Sequence, residues 1–164
     1  MENTGLIIAH PFLTQLFNYL NYLDDKNQFK NEELQYRAVY LLHYIATEEN
    51  SDIDEADLSM SKILTGLLIE DSIPSNIVLT ENEKNYANEV LQVIISKWDK
   101  LGSTSNDGLR NTFIKRNGIL KKRDEAYQLT IETSGTDILL DYIPWNIKLI
   151  KWPWFEQLIY ISWR

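Results

Sequence analysis

The chain has 164 residues, no cysteine and a formal net charge of −8, and 44% of its residues are hydrophobic. This length is sufficient to bury a true core, so we expect one globular domain over residues 1–164. Without cysteine the chain can form neither a disulfide framework nor a cysteine-based metal site. Because nucleic-acid-binding proteins need a basic surface, the acidic balance argues against nucleic acid as a partner.

No part of the sequence resembles a membrane-spanning or secretory segment. The early apolar run Leu6–Ala9 is short and follows Glu2, whereas a signal peptide starts with a basic region. No run approaches the ~20 apolar residues of a membrane helix. We therefore expect a soluble, cytoplasmic protein that does not use a membrane.

Charge is unevenly divided along the chain. Residues 1–109 carry 7 basic and 18 acidic side chains, whereas residues 110–164 carry 9 basic and 6 acidic ones. Charged side chains on a solvated surface explain such a division. Alternatively, the uneven charge could orient the protein as it docks onto a partner of mixed charge.

The first two thirds of the sequence show the periodicity of amphipathic helices. His10-Pro11 begins the first helix, since proline suits the first helical turn, and Thr80–Glu83 forms a capping box. Five helices are predicted, over residues 10–23, 32–47, 58–65, 80–101 and, after a cap at Gly102–Asp107, up to Gly118. An acidic surface loop is expected at Glu48–Asp57.

Beyond Gly118 the apolar period changes to two, which is typical of half-buried strands. Four strands are predicted, at Ile119–Lys122, Tyr127–Ile131, Ile147–Lys151 and Leu158–Trp163. A short helical turn is expected before the last two strands, at Asp137–Tyr142. Helices followed by strands predict an α+β fold, with about five helices packed against a small C-terminal antiparallel sheet.

The polar residues form no recognisable catalytic or metal-binding set. His10 and His43 are distant in sequence and have apolar neighbours, so a structural role is the simpler interpretation. The acidic run Asp54–Asp57 lacks the glycine and the distal glutamate of a calcium-binding loop. Ser103–Ser105 has the composition of a helix cap. We therefore predict no catalytic residue, no cofactor and no metal, and a protein that is not an enzyme.

Four of the five tryptophans lie between Trp145 and Trp163. In one interpretation they close the core between the sheet and the helices. In the other, Trp152-Pro153-Trp154-Phe155 is an exposed turn whose aromatic rings anchor a partner, because interface anchors are enriched in tryptophan. The candidate partner-binding residues are Trp145, Trp152, Trp154 and Phe155.

Five blocks spread over nearly the whole chain carry a family resemblance. They are GLIIAHPFLTQLF (Gly5–Phe17), RAVYLLHYIAT (Arg37–Thr47), KILTGL (Lys62–Leu67), TSNDGLRNTFIKRNG (Thr104–Gly118) and the tryptophan-rich Leu139–Trp163. In this order they resemble the contractile injection system tape measure family of bacterial phage-tail-like particles.

The resemblance implies a structural or assembly component that docks to other injection-system proteins, namely baseplate, spike or tube components. A chaperone or adaptor that acts transiently in assembly or cargo loading is the alternative. A homo-oligomer along the tail axis would suit either role.

A tape measure sets tail length by lying extended in the growing tube. An α-helix rises ~1.5 Å per residue, so even a fully helical chain of this length would reach only about 250 Å. The apolar stripes predict packing into a compact body instead. We therefore expect a globular terminal module of the family, or a short standalone member, and not the ruler itself.

Overall fold

Five α-helices precede the sheet in a computed structural model that describes all 164 residues. The helices are α1 His10–Tyr19, α2 Glu32–Thr47, α3 Ser59–Leu64, α4 Glu81–Lys97 and α5 Asn106–Leu109, and α5 continues into a π-helical turn at Arg110–Ile114. Short 3₁₀ segments lie at Thr4–Ala9, Glu55–Leu58, Asp99–Leu101 and Gly135–Tyr142. None of the helices combines the length and the low polarity needed to cross a bilayer.

Three of the five α-helices, α2, α4 and α5, begin where a side chain bonds a free N–H group of the first turn. The Asn31 side chain accepts from Leu34 N–H, and the Ser105 hydroxyl accepts from Gly108 N–H. At α4, Thr80 and Glu83 form the predicted capping box, with bonds of 3.1 and 2.8 Å. Each cap satisfies donors that the helix itself leaves unpaired, so short-range sequence signals set these starting points.

The last helix ends earlier than the sequence predicts. Regular α5 stops at Leu109 and the π turn stops at Ile114, well before Gly118. The chain leaves the helix because its next residues bond to the start of the chain. The backbone N–H and hydroxyl of Thr4 both donate to the Arg116 carbonyl, at 2.9 and 2.8 Å.

Four strands form a mixed sheet in the order β1-β2-β4-β3. They are β1 Gly118–Arg123, β2 Ala126–Ile131, β3 Leu149–Trp152 and β4 Phe155–Ser162. β1/β2 and β3/β4 are antiparallel hairpins, but β2 and β4 pair in parallel, with Leu129 opposite Ile161. The α+β class is thus confirmed, whereas the prediction of a wholly antiparallel sheet is wrong.

The parallel pair escaped prediction because side-chain alternation identifies the face of a strand and not the direction of its neighbour. Parallel neighbours need a connection of a dozen or more residues. The chain between Ile131 and Phe155 contains the Gly135–Tyr142 segment and β3, so it is long enough to return β4 alongside β2.

The segment before α1 is buried and was not predicted as an element. All residues of Thr4–Ala9 are inaccessible to solvent, and the segment forms a 3₁₀ helix. Gly5 lies so close to the π turn that a Cβ added there would sit 1.7 Å from the Phe113 carbonyl oxygen. Only glycine permits this approach, which explains why the segment needs a glycine at this position.

One contiguous cluster of 44 buried hydrophobic residues joins the helices to the inner face of the sheet. On β2 the inward residues are Tyr127, Leu129 and Ile131, as the alternation predicts. The cluster also contains residues of the opening 3₁₀ segment and of the last strand, so both ends of the chain contribute to the same core.

Candidate functional site: the closing segment and the exposed surfaces

Every indole N–H in the protein has a hydrogen-bond acceptor. The five bonds run from Trp98 to the Leu139 carbonyl (3.1 Å), Trp145 to the Ile8 carbonyl (3.0 Å), Trp152 to the His10 carbonyl (3.3 Å), Trp154 to the Leu64 carbonyl (3.0 Å) and Trp163 to the Asp137 carboxylate (3.2 Å). A buried indole needs such a partner, so these bonds are those of tryptophans inside a core.

Two of these bonds join the closing segment, residues 139–163, to the opening segment, residues 4–17. Trp145 and Trp152 donate to carbonyls at the junction of the 3₁₀ segment and α1. The Phe12 and Trp145 rings meet edge to face, with centroids 5.1 Å apart, and the Phe17 and Trp154 rings lie 5.4 Å apart. The first and last sequence blocks therefore form one packed unit.

Trp154 is the centre of this unit. Its ring packs against Phe17 and Phe29 and stacks on Trp152 at 15° between planes. Its carbonyl oxygen lies 2.7 Å from the point where a Cβ of Gly66 would be. Gly66 lies just after α3 and has a φ of +85°, a backbone conformation that favours glycine. Because it has no Cβ, it also leaves room for the turn at Trp154.

The aromatic rings of the turn at residues 152–155 are buried, and only Pro153 is exposed, which differs from the exposed turn of the second interpretation. Trp152, Trp154 and Phe155 retain only 4%, 8% and 6% of their accessible surface, and Trp145 is half-buried. The turn between β3 and β4 folds back over the end of α1 and the loop after it, and the Gln28 side chain donates to the Pro153 carbonyl. The core interpretation therefore describes the burial of these rings, while a binding role for the four residues stays a prediction.

A buried ion pair links the residues that follow the π turn to the 3₁₀ segment Gly135–Tyr142. Arg116 donates to Asp137 at 2.8 Å, and the side chains are 9% and 1% exposed. Asp137 also accepts from Ser134 N–H at 2.8 Å and from the Trp163 indole. The Arg116 guanidinium lies 5.8 Å from the Trp163 ring centroid, so the pair is satisfied on all sides.

Sequence reasoning did not find this pair, although one signal was present. Ser134-x-x-Asp137 has the spacing of a capping box, and the structure contains that box. The spacing predicts a local role for Asp137, but nothing in the sequence indicates that Arg116, two residues after the π turn, approaches it.

A second ionic cluster holds α2 against α4. Glu83 accepts from Arg37 at 2.6 and 2.9 Å and from the Tyr22 hydroxyl at 2.9 Å. Burial opposes ionisation of Glu83, but the hydrogen bonds from Arg37, Thr80 and Tyr22 outweigh it and lower the pKa of the Glu83 carboxyl. Burial, with the adjacent Glu83 charge, raises the pKa of Tyr22.

The two histidines lie apart, in different surroundings. His10 bonds the Asn146 carbonyl, and burial lowers the pKa of its imidazole. His43 is 1% exposed and bonds Glu49 at 3.1 Å. No group of three or more histidine, aspartate or glutamate side chains is placed to hold a metal ion.

A family model described as contractile injection system tape measure protein matches residues 1–163, which is nearly the whole chain. The chain belongs to this family. No curated protein and no solved structure matches it. The resemblance of the five sequence blocks is thereby confirmed, and the protein is a tape measure component of a contractile injection system.

Two surfaces of this tape measure family member are open to solvent and chemically distinctive. The first is an apolar groove of about 250 Å³ between α1 and α4. Its lining is apolar at Phe12, Leu16, Tyr19, Tyr86, Val90 and Val93 and polar at Gln15 and Glu89. Tyr19 is 60% exposed and stacks on Tyr86 at a centroid distance of 5.9 Å.

The second surface is the free edge of β1, which carries Lys121, Lys122 and Arg123 in succession. All three side chains are exposed, and Ile119 on the same strand is 63% exposed. Sequence reasoning assigned Ile119–Lys122 to a hairpin strand but did not select it as a binding surface. The sequence feature that indicates this surface is the uninterrupted run of basic residues 121–123, in the part of the chain where basic residues outnumber acidic ones.

Proposed function

We propose that this chain is a folded docking module of a contractile injection particle, which attaches to baseplate, spike or tube proteins and carries out no reaction. The observation that supports it most is the way the matched family blocks pack together. The opening block Gly5–Phe17 bonds to the closing block through Trp145 and Trp152, and the α3 block meets Trp154 at Gly66. The parts of the sequence that carry the family resemblance are thus the parts that build a compact body.

This packing favours a module over an extended ruler. A ruler works by its contour length, which in a helix grows by ~1.5 Å per residue. Here Trp145 bonds to Ile8 and Met1 bonds to Gly118, so distant parts of the chain are held side by side. Extending the chain would break the core that these contacts enclose, and one folded domain over residues 1–164 is part of the proposal.

The buried charged groups support a structural role. Arg116 and Asp137 are bonded to each other, and Glu83 is bonded to Arg37 and Tyr22. Lys62, which is 2% exposed, donates to Glu55 and to the carbonyls of Ile69 and Asp71. These side chains hold elements of the fold together, as expected for ionic groups whose partners are supplied by the protein.

Cross-linking mass spectrometry of particles assembled with a tagged copy of the chain tests the proposal. We expect the chain to be retained in finished particles and cross-linked to baseplate, spike or tube subunits. Presence during assembly but absence from finished particles would replace the module by a transient chaperone or adaptor. Absence from both, with the sheath and tube formed normally, would overturn the proposal.

A further inference from the structure

The two edges of the sheet differ in how well they are protected against an added strand. β3 has only four residues, shifts its register between Ile150 and Trp152, and is followed by Pro153. Short length, irregular register, proline and charged side chains, especially lysine, are the usual means of blocking an edge. β1 has six residues in unbroken register with β2 and contains no proline, so its only protection is its basic residues. Basic residues repel a strand of like charge but not an acidic one. β1 is therefore the edge that can accept a partner strand.

The hydrogen-bond pattern shows which groups of β1 are free. The Glu132 N–H donates to the Asn117 carbonyl, which makes residue 117 a hydrogen-bonded position of the β1/β2 hairpin. Because such positions alternate, Ile119, Lys121 and Arg123 face β2, while Gly118, Leu120 and Lys122 direct their N–H and C=O groups away from it. No strand lies on that side of β1.

The start of the chain already occupies the first of these positions. Gly118 N–H donates to the Met1 carbonyl at 2.9 Å, and the Met1 amino group donates to the Gly118 carbonyl at 3.2 Å. Two residues that exchange both bonds are an antiparallel pair. A strand placed along the rest of the edge, bonded to Leu120 and Lys122, continues the line of Met1 and runs antiparallel to β1.

The charges on β1 indicate which residue types the added strand contains. Lys121 and Arg123 lie on the outer face, and Lys122 lies at the rim of the inner face, beside half-buried Leu120. Oppositely charged residues stabilise cross-strand pairs, whereas like charges destabilise them. Pairing of β1 with a second β1 would bring these cations together, so charge disfavours a second copy as the occupant.

We propose that β1 binds an extended acidic segment of a partner protein by strand addition. In the antiparallel direction, that segment has three consecutive acidic residues, opposite Arg123, Lys122 and Lys121, followed by an apolar residue opposite Leu120. The inference deepens the docking function proposed above and rests on it only for its biological setting.

A short peptide tests the inference directly. The probe is an acetylated and amidated peptide, Thr-Thr-Glu-Glu-Glu-Val, titrated against the full chain by NMR or calorimetry; its C-terminal valine lies opposite Leu120, so it stops short of Met1. We expect saturable binding, with backbone amide shifts confined to residues 118–123. The matched control has the same sequence with an N-methyl group on the valine, which removes one backbone donor and keeps every side chain.

N-methylation is expected to weaken binding at least about fivefold, because one main-chain hydrogen bond is lost. If the two peptides bind with equal affinity, the peptide is held only by attraction of its glutamates to the basic side chains, and strand addition is overturned. No binding of the acidic peptide, or equal binding of a peptide with lysines in place of the glutamates, would overturn the inference as well.

Variants of the protein test the same edge from the other side. Lys122→Pro removes an N–H that does not pair with β2, so we expect an unchanged fold and at least about fivefold weaker peptide binding. Lys121→Glu with Arg123→Glu is expected to weaken binding more than tenfold. Lys26→Glu with Lys148→Glu, two exposed positions away from β1, gives the same net charge and should leave binding within about twofold.

The particle assay separates this inference from the proposed function. If Lys122→Pro binds the peptide poorly and is lost from particles, both are supported. If Lys122→Pro enters particles like the unmodified chain, docking uses another surface and the inference fails while the proposed function stands. If the unmodified chain binds the peptide but never joins a particle, the proposed function fails and strand addition stands.

Discussion

The closing segment and the β1 edge belong to the same sheet but differ in almost every physical respect. At the β3/β4 side, Trp152 and Trp154 are buried, and their indole N–H groups donate to carbonyls of the opening segment and of α3. At the β1 side, Ile119 and Lys121 are exposed and no further strand lies beside β1. One side of the sheet completes the core, and the other leaves backbone groups and charges available.

The difference shows that aromatic content does not identify a binding surface by itself. Tryptophan is favoured at interfaces because it buries a large area, but it is equally favoured where two ends of a chain must be held together. Here each indole N–H finds an acceptor within the chain. An unpaired strand edge with basic residues has less apolar surface, yet it has donors and acceptors that lack partners.

The largest expected loss of stability comes from adding a side chain at Gly5. Gly5→Ala places a methyl group 1.7 Å from the Phe113 carbonyl oxygen, a backbone atom that cannot move aside without shifting the π turn. We expect a loss of more than about 4 kcal/mol, enough to prevent folding. Circular dichroism and denaturant titration measure the effect.

Gly135→Ala is the matched control, because a Cβ there meets nothing within 4 Å. This substitution should leave stability within about 1 kcal/mol or raise it slightly. A Gly5→Ala variant with the unfolding midpoint of the unmodified chain would contradict the close packing of the opening segment on the π turn.

The next largest loss of stability is expected at Trp154, the centre of the closing segment. Trp154→Ala removes the contacts with Phe17 and Phe29 and the bond to the Leu64 carbonyl. We expect a loss of about 4 kcal/mol in the free energy of unfolding, measured by denaturant titration. Tyr160→Ala, on the outer face of β4 with 45% of its surface exposed, should cost less than about 1 kcal/mol.

The same variant separates the two interpretations of the tryptophans. Destabilisation of Trp154→Ala supports its role in the core. A fully stable Trp154→Ala protein that no longer joins particles would instead show that this ring binds a partner.

The predictable parts of the fold are those with local physical causes. The capping box at Thr80–Glu83 and the Ser105 cap each act within a few residues, and each is present in the structure. The β1/β2 hairpin is also local, since only Asp124 and Glu125 separate its strands. For these elements the sequence contains both partners of the interaction close together.

The parts that escaped prediction depend on residues far apart in the chain. The parallel pairing of β2 with β4, the contact of Gly5 with Phe113 and the Arg116–Asp137 ion pair all join distant segments. Burial of Trp152 and Trp154 is one of the two interpretations of the sequence, but the rings that cover Trp154, Phe17 and Phe29, lie at the other end of the chain and are not predicted. A single sequence has no local signal for such pairs.

A smaller effect is expected at the ionic cluster between α2 and α4, which lies away from both sheet edges. Glu83→Gln keeps the size of the side chain but removes the charge that pairs with Arg37 and caps α4. At neutral pH we expect a loss of about 2 kcal/mol, because a charged hydrogen bond and a cap are both weakened.

The loss should depend on pH in a defined direction. The folded state lowers the pKa of Glu83 from its usual 4.5, so its stabilisation is complete above pH 4.5 and disappears as the pH falls through the lower folded value. The stability difference between the two proteins should therefore shrink below pH 4.5, as followed by denaturant titrations at several pH values. A difference that stays constant from pH 7 to acid would contradict an ionised Glu83 in the folded state.

The smallest effect is expected at the open edge, and it sharpens the contrast with the closed side of the sheet. Ile119→Thr changes a side chain that is 63% exposed, so it should alter the free energy of unfolding by less than about 0.5 kcal/mol. The same change at Ile159, which is 1% exposed on β4, buries a hydroxyl in the core and should cost about 3 kcal/mol. Thermal melts of the two variants give the comparison. A large loss at Ile119 would mean that the outer face of β1 is packed against another part of the fold, which would contradict its exposure.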